Sequence, residues 1–148
     1  MKKRMVALSL ALCMLLTLVP FASAASFTDI GSHWARESII AMADAGIVNG
    51  YPDGTFRPKD AISRQDAAIM LRRLSNRLGT DSYSAAPRTF SDAVSIADYA
   101  KPGVDFVTAL GIMNGGANNT FSPKANITRE QAVITMVNAY NSLDYSKN

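Results

Sequence analysis

From residue 25 onward the apolar positions fall into four stripes, arranged as two pairs. Trp34, Ala35, Ile39, Met42 and Ala45 recur at the spacing of one helix face. They predict a helix over about 32–45, closed by Gly46, a residue suited to a left-handed C-terminal cap. Ala67, Ala68, Leu71, Leu74 and Leu78 predict a second helix starting near Ser63. Val104, Phe106, Val107 and Leu110 form a third stripe. Pro102 falls in its first turn, where a missing N–H matters little, and Gly111 ends it. Ala132, Val133, Met136, Tyr140 and Leu143 form the fourth, starting near Thr128. Each pair is joined by a turn-rich loop. In Tyr51-Pro52-Asp53-Gly54, Pro presets φ and Gly accepts positive φ. Asn118-Asn119 replaces Asp53-Gly54 in the second pair, and Asn tolerates left-handed backbone. No segment sustains two-residue alternation. The fold class is therefore mainly α, two helix–loop–helix units with one or two very short bridges around Phe56 and Phe121.

The two pairs are copies of one another. Shifted by 65 residues, Gly46-Ile47-Val48-Asn49-Gly50 lies on Gly111-Ile112-Met113-Asn114-Gly115, and Thr55-Phe56-Arg57-Pro58-Lys59 lies on Thr120-Phe121-Ser122-Pro123-Lys124. The register runs from Trp34/Tyr99 to Leu78/Leu143, with 15 identities in 45 pairs. Phe27-Thr28-Asp29 matches Phe90-Ser91-Asp92 at an offset of 63, so the second copy carries two extra residues before its first helix. The chain divides into a leader (1–24), a first repeat (25–79), a small and polar linker (80–89), a second repeat (90–143) and a short tail (144–148).

The leader changes the charge reading. Lys2, Lys3 and Arg4 precede an apolar run from Met5 to Val19, then Ala22-Ser23-Ala24, the make-up of a secretory signal peptide. The whole chain has a formal charge of +3, but residues 25–148 hold twelve basic and twelve acidic side chains. A net charge of zero argues against non-specific nucleic-acid binding. The lone cysteine, Cys13, lies in the leader and follows Leu12 rather than a small residue, which argues against lipidation; the mature chain has no thiol for disulfides, thiol catalysis or metal. No second apolar run reaches the ~20 residues of a membrane span.

Catalytic chemistry finds little support. His33 is the only histidine, and it has no twin in the second copy. Only two glutamates occur, Glu37 and Glu130, and the repeat does not pair them. No nucleophile elbow, metal-ligand spacing or phosphate loop is present. The repeated polar residues are more informative. Ser63-Arg64-Gln65-Asp66 and Thr128-Arg129-Glu130-Gln131 start helices as capping boxes, complete in the second case and short-armed in the first. Arg64 and Arg129 do not fit that role, because a cation in the first turn faces the positive end of the helix dipole. They either join the helix N-terminus in holding an external anion, pair internally with Asp29 or Asp92, or lie exposed. Lys59 and Lys124 can border the same pockets. Phe27-x-Asp29 and Phe90-x-Asp92 read as a core aromatic with a carboxylate capping a turn. Trp34 is either core or an apolar platform for a sugar, and Tyr99 is its weaker counterpart. Gly46, Gly50, Gly111 and Gly115 serve backbone geometry or let a ligand approach closely.

Taken together, the F-x-D, W-A, G-I-x-x-G and D-G-T-F-x-P elements and the Ser/Thr-Arg helix start resemble the S-layer homology (SLH) repeat, over nearly all of the mature chain. The resemblance implies a cell-wall or S-layer protein of a bacterial envelope, held non-covalently to an anionic, pyruvylated secondary cell wall polysaccharide, with no cofactor. It implies that Arg64 and Arg129 meet the pyruvyl carboxylate and that Asp29, Asp92, Trp34, Gly46, Gly50, Gly111 and Gly115 line sugar-binding grooves. It also implies a pseudo-threefold body of three repeats, of which two stand here as an incomplete version. The rival readings are an envelope assembly protein whose repeats associate with other SLH chains or with themselves, and a small secreted hydrolase. N-terminal sequencing of protein recovered from the envelope should begin at Ala25; a retained 5–19 segment would instead leave the protein tethered to the membrane.

Overall fold

A computed structural model describes residues 25–80 and 82–143; the signal-peptide, Cys13 and tail readings lie outside them. Four helices follow in order: α1 (Arg36–Asp44), α2 (Arg64–Leu78), α3 (Lys101–Ala109) and α4 (Arg129–Ser142). Short 3-10 turns stand at Ala93–Ser95, Asp98–Ala100 and Ala117–Asn119. Among the described residues the one β-bridge is Ser63 to Asn126, which joins the two repeats rather than lying at Phe56 or Phe121 as expected. No described helix is long and apolar enough to cross a membrane.

The helix boundaries follow local chemistry. Gly46 and Gly111 leave α1 and α3 at φ 72° and 67°, the left-handed exit available to a residue without Cβ. Thr128 and Gln131 complete a capping box on α4, each taking the other's backbone N–H at 3.2 Å. Ser63 accepts only the Asp66 amide, and the Asp66 carboxylate turns instead to the Ser63 and Tyr99 hydroxyls. Helix α1 starts four residues later than expected. His33 Nδ1 accepts the Ala35 amide, so the 33–35 segment is held as a turn and Trp34 is thrown outward.

Each repeat closes its loop with the same clasp. The Asp29 carboxylate accepts the Phe56 and Arg57 amides at 2.8 and 2.7 Å; Asp92 accepts those of Phe121 and Ser122, both at 2.8 Å. Phe27 stacks on Phe56 with ring centroids 5.3 Å apart, and Phe90 on Phe121 at 5.4 Å, both tilted 49°. These rings lie against Gly50 and Gly115, where an added Cβ would fall 2.2 and 2.6 Å from Phe27 and Phe90. The F-x-D aspartate and the loop glycine therefore belong to one device, in which the carboxylate holds two amides and the ring covers a backbone that has no side chain.

The closest helix-on-helix packing crosses the repeat boundary. Ala68 of α2 joins Ala100, Val104, Phe106, Val107, Ile112, Met113 and Phe121 of the second repeat in one buried cluster. Gly103 lets α3 lie on α2 so closely that a Cβ there would sit 2.5 Å from Ile69 Cα. Tyr83, from the linker, sets its ring edge-on to Phe106 at 5.7 Å. The stripe expected to bury α4 turns out to face solvent: Val133, Met136 and Tyr140 are more than half exposed, and Thr135 and Ala139 are buried instead. Helical spacing identifies an apolar face without saying whether anything covers it. Gly103→Ala should destabilise the protein by about 1–3 kcal/mol, since backbone cannot retreat from an added methyl. Ser38→Ala, the matching site on exposed α1, should stay within about 0.5 kcal/mol; thermal melts of the two variants check the contrast.

Candidate functional site

Two clefts lie at matching places in the two repeats. The cleft of the second repeat encloses about 360 Å³. Its floor is Phe121 and its rim the Asn114-Gly115-Gly116 turn, with Gln131, Thr135 and Asn138 of α4 along one wall. Arg64, the first residue of α2 in the other repeat, closes it. The cleft of the first repeat encloses about 440 Å³ and is bordered by Gly50, Tyr51, Arg57, Asp66, Arg73 and, from the second repeat, Tyr99.

Arg64 is 9% exposed. Its Nε donates to the Phe121 carbonyl at 2.8 Å and a terminal nitrogen to the Asn114 carbonyl at 2.9 Å. The guanidinium carbon stands 4.9 Å from the centre of the Phe121 ring, within reach of a cation–π attraction. Burial lowers its pKa and the nearby Asp92 carboxylate opposes that shift; an arginine remains charged throughout. Arg64 is not exposed, and Asp92 acts on it as a nearby charge rather than as a bonded partner.

The expected use of the α2 N-terminus needs correction. The Arg64 and Gln65 amides donate to the Ala125 and Pro123 carbonyls at 2.9 and 3.0 Å, and Ile127 returns a bond to Ile62. The helix end is bound to the loop of the next repeat, so an anion at Arg64 would meet the side chain and not the helix amides. Arg129 is exposed at the start of α4 and borders neither cleft. The two arginines hold the same register and different environments: among the described residues, Arg64 enters the following repeat and Arg129 is exposed.

The other expected groove residues divide. Gly50 and Gly115 line the clefts. Gly46 and Gly111 cap helices outside them. Asp29 and Asp92 stand behind the walls, with their carboxylates turned to backbone amides. The Phe56 amide above all lowers the Asp29 pKa. At Asp92 desolvation pushes upward, yet the Phe121 and Ser122 amides and the Arg64 charge outweigh it. Trp34 is 91% exposed and touches no cleft. Lys59 and Lys124 are exposed and line neither cleft.

The clefts differ in charge and in access. Arg64 is the one charged residue around the second-repeat cleft; the other polar groups there are amides and hydroxyls. The first-repeat cleft carries Arg57 and Arg73 but also Asp60 and Asp66. There Arg57 pairs with Asp53 at 2.8 Å and lies 4.0 Å over the Tyr51 ring, and its bonds together with those of Thr55, which rank first, lower the Asp53 pKa to about 2. Gly116 occupies the position of Tyr51, and Ser122 that of Arg57, leaving the second cleft without this stack. Tyr99 holds its hydroxyl 2.7 Å from Asp66; desolvation and that carboxylate push its pKa up to about 12. Sequence reading passed over Asn114, Gly116, Gln131, Asn138 and Tyr51; the Tyr51/Gly116 difference was visible in the 65-residue register. Among the described residues no group of His, Cys, Asp and Glu is placed to hold a metal.

The S-layer homology domain profile matches residues 26–68 and 89–133. The chain is 34% identical over 124 residues to the S-layer protein EA1 of Bacillus anthracis, covering 83% of this chain and 14% of that one. It is 38% identical over 125 residues to an amylopullulanase of Thermoanaerobacterium thermosulfurigenes, covering 82% and 6%. It is 30% identical over 112 residues to the cellulosome-anchoring protein of Acetivibrio thermocellus, covering 75% and 25%. The chain thus spans a quarter or less of the length of each of these relatives.

The geometry separates the two arginines in stability. Arg64→Ala would strand two carbonyls in a buried junction and should cost about 2–4 kcal/mol, from two bonds to a charged donor. Arg129→Ala should change the unfolding free energy by no more than about 0.5 kcal/mol. Denaturant titration of both variants measures the difference.

Proposed function

The chain belongs to the S-layer homology family, and from that premise we propose that it anchors non-covalently to the bacterial cell envelope by holding an anionic, pyruvylated secondary cell wall polysaccharide in the second-repeat cleft. The observation that carries the reading is the single buried cation at the edge of an otherwise uncharged cleft. Arg64 commits two of its five N–H donors to carbonyls, and the others remain to meet a carboxylate in two-pronged geometry. Asn114, Gln131, Ser122 and Asn138 supply amide and hydroxyl groups of the kind that bond sugar hydroxyls. Burial strengthens the charge: the same pair at the protein surface is worth little, and in a low-dielectric cleft it is worth more. A protein whose mature net charge is zero can in this way bind a polyanion by one placed arginine, without a basic surface. The role is binding and not catalysis; the same repeats in the longer relatives accompany proteins named for surface layers, for anchoring and for starch-type hydrolysis.

The first-repeat cleft is a poorer anion site, because Asp60 and Asp66 face it and Tyr51 with Arg57 covers one side. Asp29 and Asp92 act here by shaping the loops, and Gly115 by keeping the rim thin. The direct test is co-sedimentation with cell wall polymer. The mature protein should sediment with native polymer and lose at least tenfold in affinity on depyruvylated polymer. Gly116→Tyr should do the same on native polymer while melting normally, since a Cβ at Gly116 meets nothing within 4 Å. Arg129→Ala should bind as the parent does. Equal binding to both polymers, or loss only in Arg129→Ala, would reject the proposal.

A further inference from the structure

Among the described residues three pairs place Asn or Asp before glycine: Asn49-Gly50, Asp53-Gly54 and Asn114-Gly115. Such pairs are chemically labile, because glycine has no Cβ to keep the preceding side-chain carbonyl away from its nitrogen. The fold treats them differently. The Asp53 carboxylate is bonded through both oxygens, one to Thr55 and the other to Arg57. The Gly54 N–H donates to the Tyr51 carbonyl at 3.0 Å, so neither reacting group of that pair is available. Asn114 is exposed. Its side chain makes one long bond, from Nδ2 to the Gly111 carbonyl at 3.5 Å, beyond the ordinary range. The Gly115 N–H has no acceptor among the described residues; the loop bond begins one residue later, from Gly116 to the Thr120 carbonyl. Asn49-Gly50 repeats the pair in the first-repeat cleft, which Arg64 does not line.

We propose that Asn114-Gly115 is a self-modification site whose product shuts the second-repeat cleft. The Gly115 nitrogen, losing its proton to solvent, attacks Cγ of Asn114. The N–Cγ bond forms, the Cγ–Nδ2 bond breaks, and Nδ2 leaves as ammonia. Water then opens the cyclic imide. Opening at Cγ yields aspartate. Opening at the main-chain carbon yields isoaspartate: the chain now runs through Cγ, and the former main-chain carbonyl becomes a free carboxylate. That carbonyl oxygen is the one to which Arg64 donates at 2.9 Å. Isoaspartate therefore turns a neutral acceptor of the arginine into an anionic one at the same atom, beside a cleft where Arg64 is the one charged residue. A charge-assisted bond is about twice as strong as a neutral one. The arginine is then held by the protein's own carboxylate, and an external anion meets a neutralised site. Aspartate at this position brings the same charge on its side chain. The modification follows from the loop geometry alone; its effect on binding rests on the anchoring reading above.

The test keeps the mature protein in warm, mildly alkaline buffer and maps its peptides by mass, with isoaspartate read by enzymatic methylation. Isoaspartate should accumulate at position 114, and Asp53 should stay unmodified. As it accumulates, affinity for native pyruvylated polymer should fall about tenfold or more, the scale of one charge-assisted contact. The Arg64 Nε–H resonance should shift with no polymer present. Protein separated by charge and modified at Asn49 alone should show neither change. Asn114→Gln, whose longer side chain closes an imide ring far more slowly, should keep its starting affinity through the incubation. The unincubated protein reports separately on anchoring: its failure to bind polymer would reject that reading, and the Arg64 resonance would still decide this one. No isoaspartate at 114 under conditions that convert the urea-unfolded chain would overturn the proposal. So would isoaspartate there with the Arg64 resonance unmoved, or with the affinity of a polymer-binding sample retained.

Discussion

The structure depends on one shared helix end. The start of α2 belongs to the first repeat by sequence and to the second by contact. Its amides bond to Pro123 and Ala125, its arginine to Asn114 and Phe121, and its second turn carries Ala68 and Ile69 under α3. Removing the arginine leaves the Asn114 and Phe121 carbonyls without that donor, and these bonds are why a charged side chain is tolerated there. The same insertion that joins the repeats places a cation at the edge of a cleft. On the proposed reading, folding and binding both draw on this one arginine.

Behind that junction each repeat is stiffened by the same small device. A carboxylate holds two consecutive amides, one of which belongs to a residue in left-handed backbone: Arg57 at φ 58° and Ser122 at φ 55°. A side chain in that region costs roughly 1–2 kcal/mol, and the charge-assisted bonds offset it. In the second repeat the carbonyl of Phe121, the residue before this turn, accepts from Arg64 Nε. The clasp shapes the cleft from behind without contributing a wall.

Much of this was legible in the residues. The four helices, the duplicated loops, the glycine exits and the Thr128 capping box follow from spacing and local chemistry, which act within a few residues. The positions of Trp34 and of the α4 stripe were not legible, because an apolar face is the same in sequence whether it is covered or bare. The different surroundings of Arg64 and Arg129 have the same cause: the register is identical, but what stands opposite each arginine is set by tertiary packing that the register does not encode. The aspartates read from the residues as turn caps, and they hold backbone amides; the groove role came from the resemblance alone. Gly116 was hidden by its ordinariness, and only comparison with Tyr51 reveals that one cleft has been emptied.

The central claim is that a single cleft, closed by Arg64, is the anion site of the mature protein. Titration of isotope-labelled residues 25–148 with soluble pyruvylated wall polymer, followed through arginine side-chain and glycine amide resonances, tests it directly. The account predicts saturable shifts at the Arg64 Nε–H and at the Gly115 and Gly116 amides, with Arg129, Gly50 and Gly54 unmoved. Shifts centred on Arg129 or on the first-repeat cleft, or none at Arg64 at saturation, would contradict it.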